Sequence, residues 1–211
     1  QALTGDNLAA RKLHIEELLR STLGRLDAEG RPMHILDVAA GHGRYVLEAL
    51  GQGPRPASIL LRDYDEANVA QGRALIESKG LSGIARFERG DAFDRDGLAA
   101  IVPRPTVGIV SGLYELFPDN DAVATSLAGL AEAVEPGGYL IYTGQPWHPQ
   151  LELIARALTS HRGGQAWVMR RRTQAELDQL VAEAGFDKID QRIDAWGIFT
   201  VSLARRVGGA A

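Results

Sequence analysis

The stretch HILDVAAGHGRYVLEAL, His34 to Leu50, decides how the chain reads. Ile35, Leu36 and Val38 make a short buried strand, and Ala39, Ala40, Gly41 and Gly43 make a turn free of bulky side chains. Val46, Leu47 and Leu50 then fall on the inner face of a helix. A strand entering a helix through such a turn lets backbone N–H groups approach a ligand, and the helix N-terminus adds partial positive charge there. By itself the turn points to a nucleotide-like ligand and no further.

Working outward, strands and amphipathic helices alternate on both sides. Asp6 or Asn7 is expected to cap a first helix with Leu8, Ile15, Leu18, Leu19 and Leu26 near one face, ending at Gly30. After the loop Gly51–Pro56, SILLRDYD reads as a second strand of continuous apolar character, as in a parallel sheet covered on both faces. A helix from about Glu66 to Lys79 leads to ARFERGDAF, a third strand ending at Gly90-Asp91. A short helix near Asp96–Ile101, a fourth strand in TVGIVSGLYELF, a helix over Asp121–Val134 and a fifth strand YLIYTG follow. Leu151–Leu158 is expected to be helical and HRGGQAW a surface excursion. Thr173 and Glu176 have capping-box spacing for a helix that buries Leu177, Leu180 and Val181. The tail KIDQRIDAWGIFTVSLARR reads as an antiparallel hairpin turning near Ala195-Trp196-Gly197.

This order predicts an α/β fold: a Rossmann-like, seven-stranded, mostly parallel sheet with helices on both faces and a C-terminal antiparallel β-hairpin. The expected organisation is one domain over 1–211, with an N-terminal helical segment (1–30), a cofactor-binding half (31–145) and an acceptor-side segment with the hairpin (146–211). A net charge of −4 gives no general attraction to nucleic acid or anionic membrane. The sequence has no cysteine, which excludes disulfides, thiolate catalysis and Cys-based metal sites. No apolar run approaches the roughly 18 residues of a membrane span, so a cytoplasmic protein is expected. His14, His34 and His161 lack metal-ligand spacing and His42 lies in the glycine turn, so no metal site is expected.

In open α/β sheets ligands bind beyond the carboxyl ends of the strands. Three acids stand at such ends: Asp37 before the turn, Asp63 after the second strand and Asp91 after the third. A carboxylate in the position of Asp63 suits ribose hydroxyls, and Asp91 lies where an adenine is expected. The pattern resembles the class I S-adenosylmethionine-dependent methyltransferases. Their acid-x-Gly-x-Gly-x-Gly motif is matched by DVAAGHG, with Ala39 in place of the first glycine. RDYD and RGDAF supply the other two acids, and a Pro-Gly-Gly turn precedes the fifth strand. The resemblance covers roughly residues 10–206. It implies that Asp37, Ala39, Gly41, Gly43, Tyr45, Asp63, Tyr64, Asp91, Ala92, Phe93 and Gly112 hold S-adenosylmethionine, Tyr64 and Phe93 beside the adenine or simply in the apolar core. More narrowly, GLYELFPDN, GQPWHPQLELIARAL, WVMRRR and AWGIFTVSLARR look like a bacterial methyltransferase family that sometimes forms the C-terminal part of a hydrolase–methyltransferase fusion. A fused or partner hydrolase domain is therefore an expectation.

Because the sulfonium is already a good leaving group, methyl transfer needs mainly proximity and orientation, with a base only where the acceptor loses a proton. Tyr114, Glu115 and His148 are the catalytic candidates. Tyr114 serves equally well as a wall of the cofactor pocket, and His148 as a turn residue. Gln145, Trp147, Arg170 and Arg172 are candidates for the acceptor site, the arginines holding an anionic group or forming a solvated charge run. The expected acceptor is a small molecule or lipid headgroup rather than nucleic acid. Two alternatives stay open: an NAD-dependent oxidoreductase, which wants a third glycine where Val46 stands, and a cofactor-binding module without catalysis.

Overall fold

Apolar residues alternate along the central strands, and each alternate set meets its own layer of helices. The computed structural model describes residues 2–51, 53–148 and 170–208. In chain order the elements are α1 (Ala2–Ala28), β1 (His34–Asp37), α2 (Arg44–Ala49), β2 (Ser58–Asp63), α3 (Glu66–Ser78), β3 (Ala85–Arg89) and α4 (Arg95–Ala99). They continue with β4 (Val107–Val110), a 3-10 turn (Tyr114–Leu116), α5 (Asn120–Ala133), β5 (Tyr139–Gly144), α6 (Gln174–Glu183), β6 (Phe186–Ile193) and β7 (Thr200–Arg206). The seven strands form one sheet in the order β3-β2-β1-β4-β5-β7-β6. Strands β1 to β5 pair in parallel, and β7 runs antiparallel to both β5 and β6.

One face carries Ile35, Ile59, Leu61, Phe87, Ile109 and Ile141 against Ile15, Leu18, Leu19, Leu23 and Leu26 of α1, Val46 and Leu47 of α2, and Val69 and Ile76 of α3. The opposite face carries Leu36, Leu60, Val110, Leu140 and Tyr142 against Leu98 of α4, Val123, Leu127 and Leu130 of α5, and Leu177 and Val181 of α6. The period of two along each strand is what lets a strand serve both cores. The expected seven-stranded, mostly parallel sheet with its antiparallel C-terminal strands is the observed one.

Local chemistry sets the ends. Asp65, Asp94 and Asp119 cap α3, α4 and α5 by accepting backbone N–H groups of the first turn. At α6 the Thr173 hydroxyl accepts the Glu176 N–H at 3.1 Å, while the Glu176 carboxylate turns away to Arg170 and Asn120. Only half of the expected capping box is made. The buried Asp194 carboxylate accepts the N–H groups of Trp196, Ile198 and Phe199 and so folds the turn between β6 and β7. Between Lys188 and Asp190 the pairing of β6 with β7 shifts register.

The first helix differs from expectation. It begins at Ala2, so Asp6 and Asn7 lie within it and not at its start. A single Gly5 costs about 1 kcal/mol in a helix interior, too little to stop a 27-residue helix anchored by five buried apolar residues. Leu8, expected on the buried face, is exposed. The helix and excursion expected at Leu151–Leu158 and HRGGQAW fall outside the described residues.

Candidate functional site

The strand order reverses direction between β1 and β4, the place where an open α/β sheet leaves a crevice at its carboxyl edge. The glycine turn lies on that crevice. Gly41 (φ 56°) and Gly43 (φ 72°) are both left-handed, a conformation strained for any residue with a Cβ. Gly43 is also pressed onto β2, since a Cβ there would stand 2.4 Å from Leu61 Cδ1, whereas one on Gly41 would meet nothing within 4 Å. The turn is held from below at 43 and open above at 41.

Asp37 is fully buried beneath this turn. Its Oδ1 accepts the Ala39 N–H at 3.1 Å, and its Oδ2 accepts the Tyr45 hydroxyl. Burial pushes its pKa up to about 7 against the lowering effect of these two bonds. Burial and the neighbouring Asp37 together raise the Tyr45 hydroxyl well above its usual range, so it stays protonated. With no exposed surface, Asp37 shapes the turn rather than reaching a ligand, and Tyr45 is its partner in that. For Asp37 this differs from the expected direct contact with the cofactor, whereas Tyr45 is only partly buried.

Asp63 ends β2 facing the open side of the turn. Its Oδ2 accepts the Gly41 N–H at 2.9 Å, and its Oδ1 accepts Asp65 N–H and Asn68 Nδ2, at 2.9 and 3.1 Å. A carboxylate offers about four acceptor positions, so a fourth donor is accommodated and a fifth displaces Asn68. Asp91 follows β3 and is exposed, with Oδ1 accepting the Phe93 N–H at 2.9 Å and Oδ2 making no hydrogen bond with a described residue. Tyr64 is 68% exposed, its ring under Arg89 at 5.1 Å. Phe93 instead packs on Phe117 with centroids 4.4 Å apart, and Ala92 is buried in the second core. Along the carboxyl edge the series therefore runs Asp91, Asp63, glycine turn.

Across the switch point the same edge continues through β4 and β5. Gly112 (φ 67°) follows β4, and its N–H is accepted by Thr143 Oγ1 at 2.8 Å, which ties the two strand ends together. Beside it lies a shallow cleft open to solvent, whose lining includes Tyr114, Glu115, Gln145, Arg170, Arg172 and Leu177. The Glu115 side chain is 9% exposed, and its burial raises its pKa in spite of nearby arginines. Gln145 and His148 are buried; burial, with Arg171 nearby, lowers the His148 pKa and keeps its imidazole neutral. Trp147 is exposed.

Three expectations change here. The Tyr114 hydroxyl is turned to Ser126 Oγ of α5, 2.9 Å away in the core, so it is not presented to a reacting group. Tyr114→Phe is expected to destabilise the fold by about 1 kcal/mol, the worth of one buried hydrogen bond, lowering the melting point by about 2–4 °C. The same variant should bind cofactor as the parent does, and calorimetry showing a large loss would put the hydroxyl back in the site. Arg172, only 6% exposed, donates to Tyr114 O (2.7 Å), Phe117 O (2.8 Å) and Asn120 Oδ1 (2.7 Å). Arg170 donates to Pro118 O, Asn120 Oδ1 and Glu176. Both arginines thus donate to carbonyls of the loop after β4, and these bonds occupy donors that the sequence reading offered to an anionic acceptor.

One residue escaped the sequence reading. Arg11 of α1 reaches the crevice, with Nη1 3.8 Å from Glu115 Oε1 and its guanidinium 4.9 Å over the Phe199 ring. The available signal is its place four residues before Ile15, a cation on the apolar stripe of the helix.

A sheet in this order, with a glycine turn after β1 and acids closing β2 and β3, is the fold of the class I methyltransferases. Solved structures agree in fold: a possible exported protein from Bordetella parapertussis superposes at a TM-score of 0.70 with 22% identity, over 93% of this chain and 69% of that one. A SAM-dependent methyltransferase from Methanosarcina mazei gives 0.64 with 19% identity, over 83% and 93%. The chain belongs to the family described as "Putative methyltransferase", whose profile matches residues 3–206. It is also 61% identical over 196 residues to the uncharacterized protein YnbC of Escherichia coli K12, covering 93% of this chain and 34% of that protein. The chain therefore spans about a third of that relative's length. No described helix is long and apolar enough to cross a membrane.

Proposed function

We propose that this protein is an S-adenosylmethionine-dependent methyltransferase acting on a small molecule or a lipid headgroup. The observation that carries the reading is the order of groups along one edge: Asp91, Asp63, the open glycine at 41, Gly112, then the cleft with Glu115 and Gln145. The residues fit such a cofactor. Asp63 keeps an acceptor position for a ribose hydroxyl, Asp91 has an oxygen that accepts from no described residue at the end where adenine belongs, and the space over Gly41 is clear.

When bound, the cofactor supplies a methyl group already activated on sulfur. The chain's own part is to hold, orient and deprotonate. Glu115, with its pKa raised by burial, is the group placed to take a proton from an acceptor in the cleft, and Gln145 offers an amide to orient it. His148, neutral and buried nearby in sequence, is the second candidate base. The length of the Escherichia coli relative beyond the matched stretch supports a further domain working beside one of this kind; on the resemblance stated above we propose a hydrolase.

Calorimetric titration with S-adenosylhomocysteine, run beside NAD, tests the cofactor. Micromolar binding of the homocysteine product alone is expected, and Asp63→Ala should weaken it by about 1–3 kcal/mol through hydroxyls left unpaired. Binding of NAD in its place would overturn the reading, and unchanged affinity in Asp63→Ala would remove that residue from the ribose.

A further inference from the structure

Arg11 sits on the stripe of α1 that enters the core at Ile15, so the helix carries a guanidinium out over the carboxyl edge of the sheet. There it lies against Gly112, where an added Cβ would stand 3.3 Å from Nη1. Its side chain is 22% exposed, partly covered and partly reachable. The nearest acid is Glu115 at 3.8 Å, beyond hydrogen-bond distance, and its other partner is the face of Phe199. Five N–H donors end at the crevice and make no hydrogen bond with any described residue. Arg170 and Arg172, on the far side of the cleft, are by contrast tied to loop carbonyls.

An unsatisfied planar fork of donors is matched best by a carboxylate. On the reading above, the nucleoside end of the cofactor belongs with Asp63 and Asp91, at β2 and β3. Its amino-acid end then falls across the switch point, toward Gly112 and Arg11. That end carries a carboxylate. Resting on that reading, we infer that Arg11 holds the carboxylate of the cofactor's amino-acid end, leaving its long ion pair with Glu115 to do so. The nearby glycines leave room for the approach: nothing stands within 4 Å of a Cβ on Gly41, and at Gly112 the nearest neighbour is Arg11 itself. Moving Arg11 away also removes a cation from the side of Glu115, which favours the protonated form of that acid and makes it a stronger base once ionised.

The test compares two ligands that share the nucleoside and the thioether. S-adenosylhomocysteine has the amino-acid end, and 5′-methylthioadenosine lacks it. Titrating the full chain, Arg11→Ala is expected to weaken the first by about 10- to 100-fold, the worth of charge-assisted hydrogen bonds, and the second by less than about 2-fold. Arg11→Lys, which keeps the charge without the fork, should fall between. If Arg11→Ala fails to fold, Arg11→Gln keeps most of the packing over Phe199 and carries the same comparison. Equal affinity of variant and parent for S-adenosylhomocysteine overturns the inference, as does an equal loss for both ligands, which would make Arg11 a packing residue. An effect confined to the acceptor's KM also overturns it, by assigning the guanidinium to an acceptor carboxylate. If the parent chain binds neither ligand, it is the proposed function that fails.

Discussion

Asp37→Asn is expected to gain stability relative to the parent chain as pH rises from 5 to 7, and to hold that gain above pH 7.5. The carboxyl has no exposure, and burial raises its pKa to about 7, against about 3.9 in an unfolded chain. Between those values the folded state binds a proton that the unfolded state has lost, so stability falls as pH rises. The contribution is complete below about pH 4 and gone once pH passes through about 7. Each pH unit in the window is worth about 1.4 kcal/mol, which makes the gain from pH 5 to 7 on the order of 3 kcal/mol. Asparagine keeps the shape, accepts the Ala39 N–H and donates to Tyr45, and it does not titrate. Urea unfolding of both proteins at pH 5, 6, 7 and 8 measures the difference, in which any pH-independent cost of the amide cancels. A difference that stays flat across the series would show that the acid folds in its ordinary ionised form.

The second large effect separates the two glycines of the turn. Gly43→Ala must adopt a left-handed φ of 72°, worth roughly 1–2 kcal/mol. It must also push back Leu61, fully buried and with Phe87 beyond it, at about 1–3 kcal/mol for overpacking. A total loss of about 2–5 kcal/mol in folding stability follows. Gly41→Ala carries the backbone strain alone, about 1–2 kcal/mol, because its new methyl projects into clear space. That space is where the proposed ligand lies, so Gly41→Ala should lose affinity for S-adenosylhomocysteine out of proportion to its stability. Chemical denaturation and calorimetry on the pair decide it. Equal behaviour in both measurements would mean that the turn has no open and closed side.

The alternation of strands and helices was legible because buried parallel strands and amphipathic helices have different periods, and Gly30, Gly80 and Pro136-Gly137-Gly138 punctuate them. The positions of Asp37, Asp63 and Asp91 at strand ends were legible for the same reason. Depth was not. A sequence places Asp37 and Asp63 alike at the ends of strands, while the fold buries one under a tyrosine and leaves the other a free acceptor position. The contacts of Arg170 and Arg172 were not legible, because they include backbone carbonyls 50 or more residues away, which no side-chain pattern announces. In sequence Tyr114 is open between two roles because one torsional choice decides it: the residue lines the cleft, while its hydroxyl turns to Ser126 on the next helix. Arg11 broke the apolar stripe of its own helix, which was readable, but what it reaches depends on how α1 crosses the sheet.

The register shift in β6 matters to molecules other than this one. As the last strand of the sheet, β6 presents an open row of backbone donors and acceptors to any passing chain. The slip between Lys188 and Asp190 breaks the even spacing of that row and adds local twist, and charged Asp187 and Lys188 stand exposed on it. At the opposite border β3 sets out Arg86, Glu88 and Arg89, also exposed. Charge on both borders and the slip in β6 make a further strand harder to add, although β6 also exposes Ile189 and Ile193.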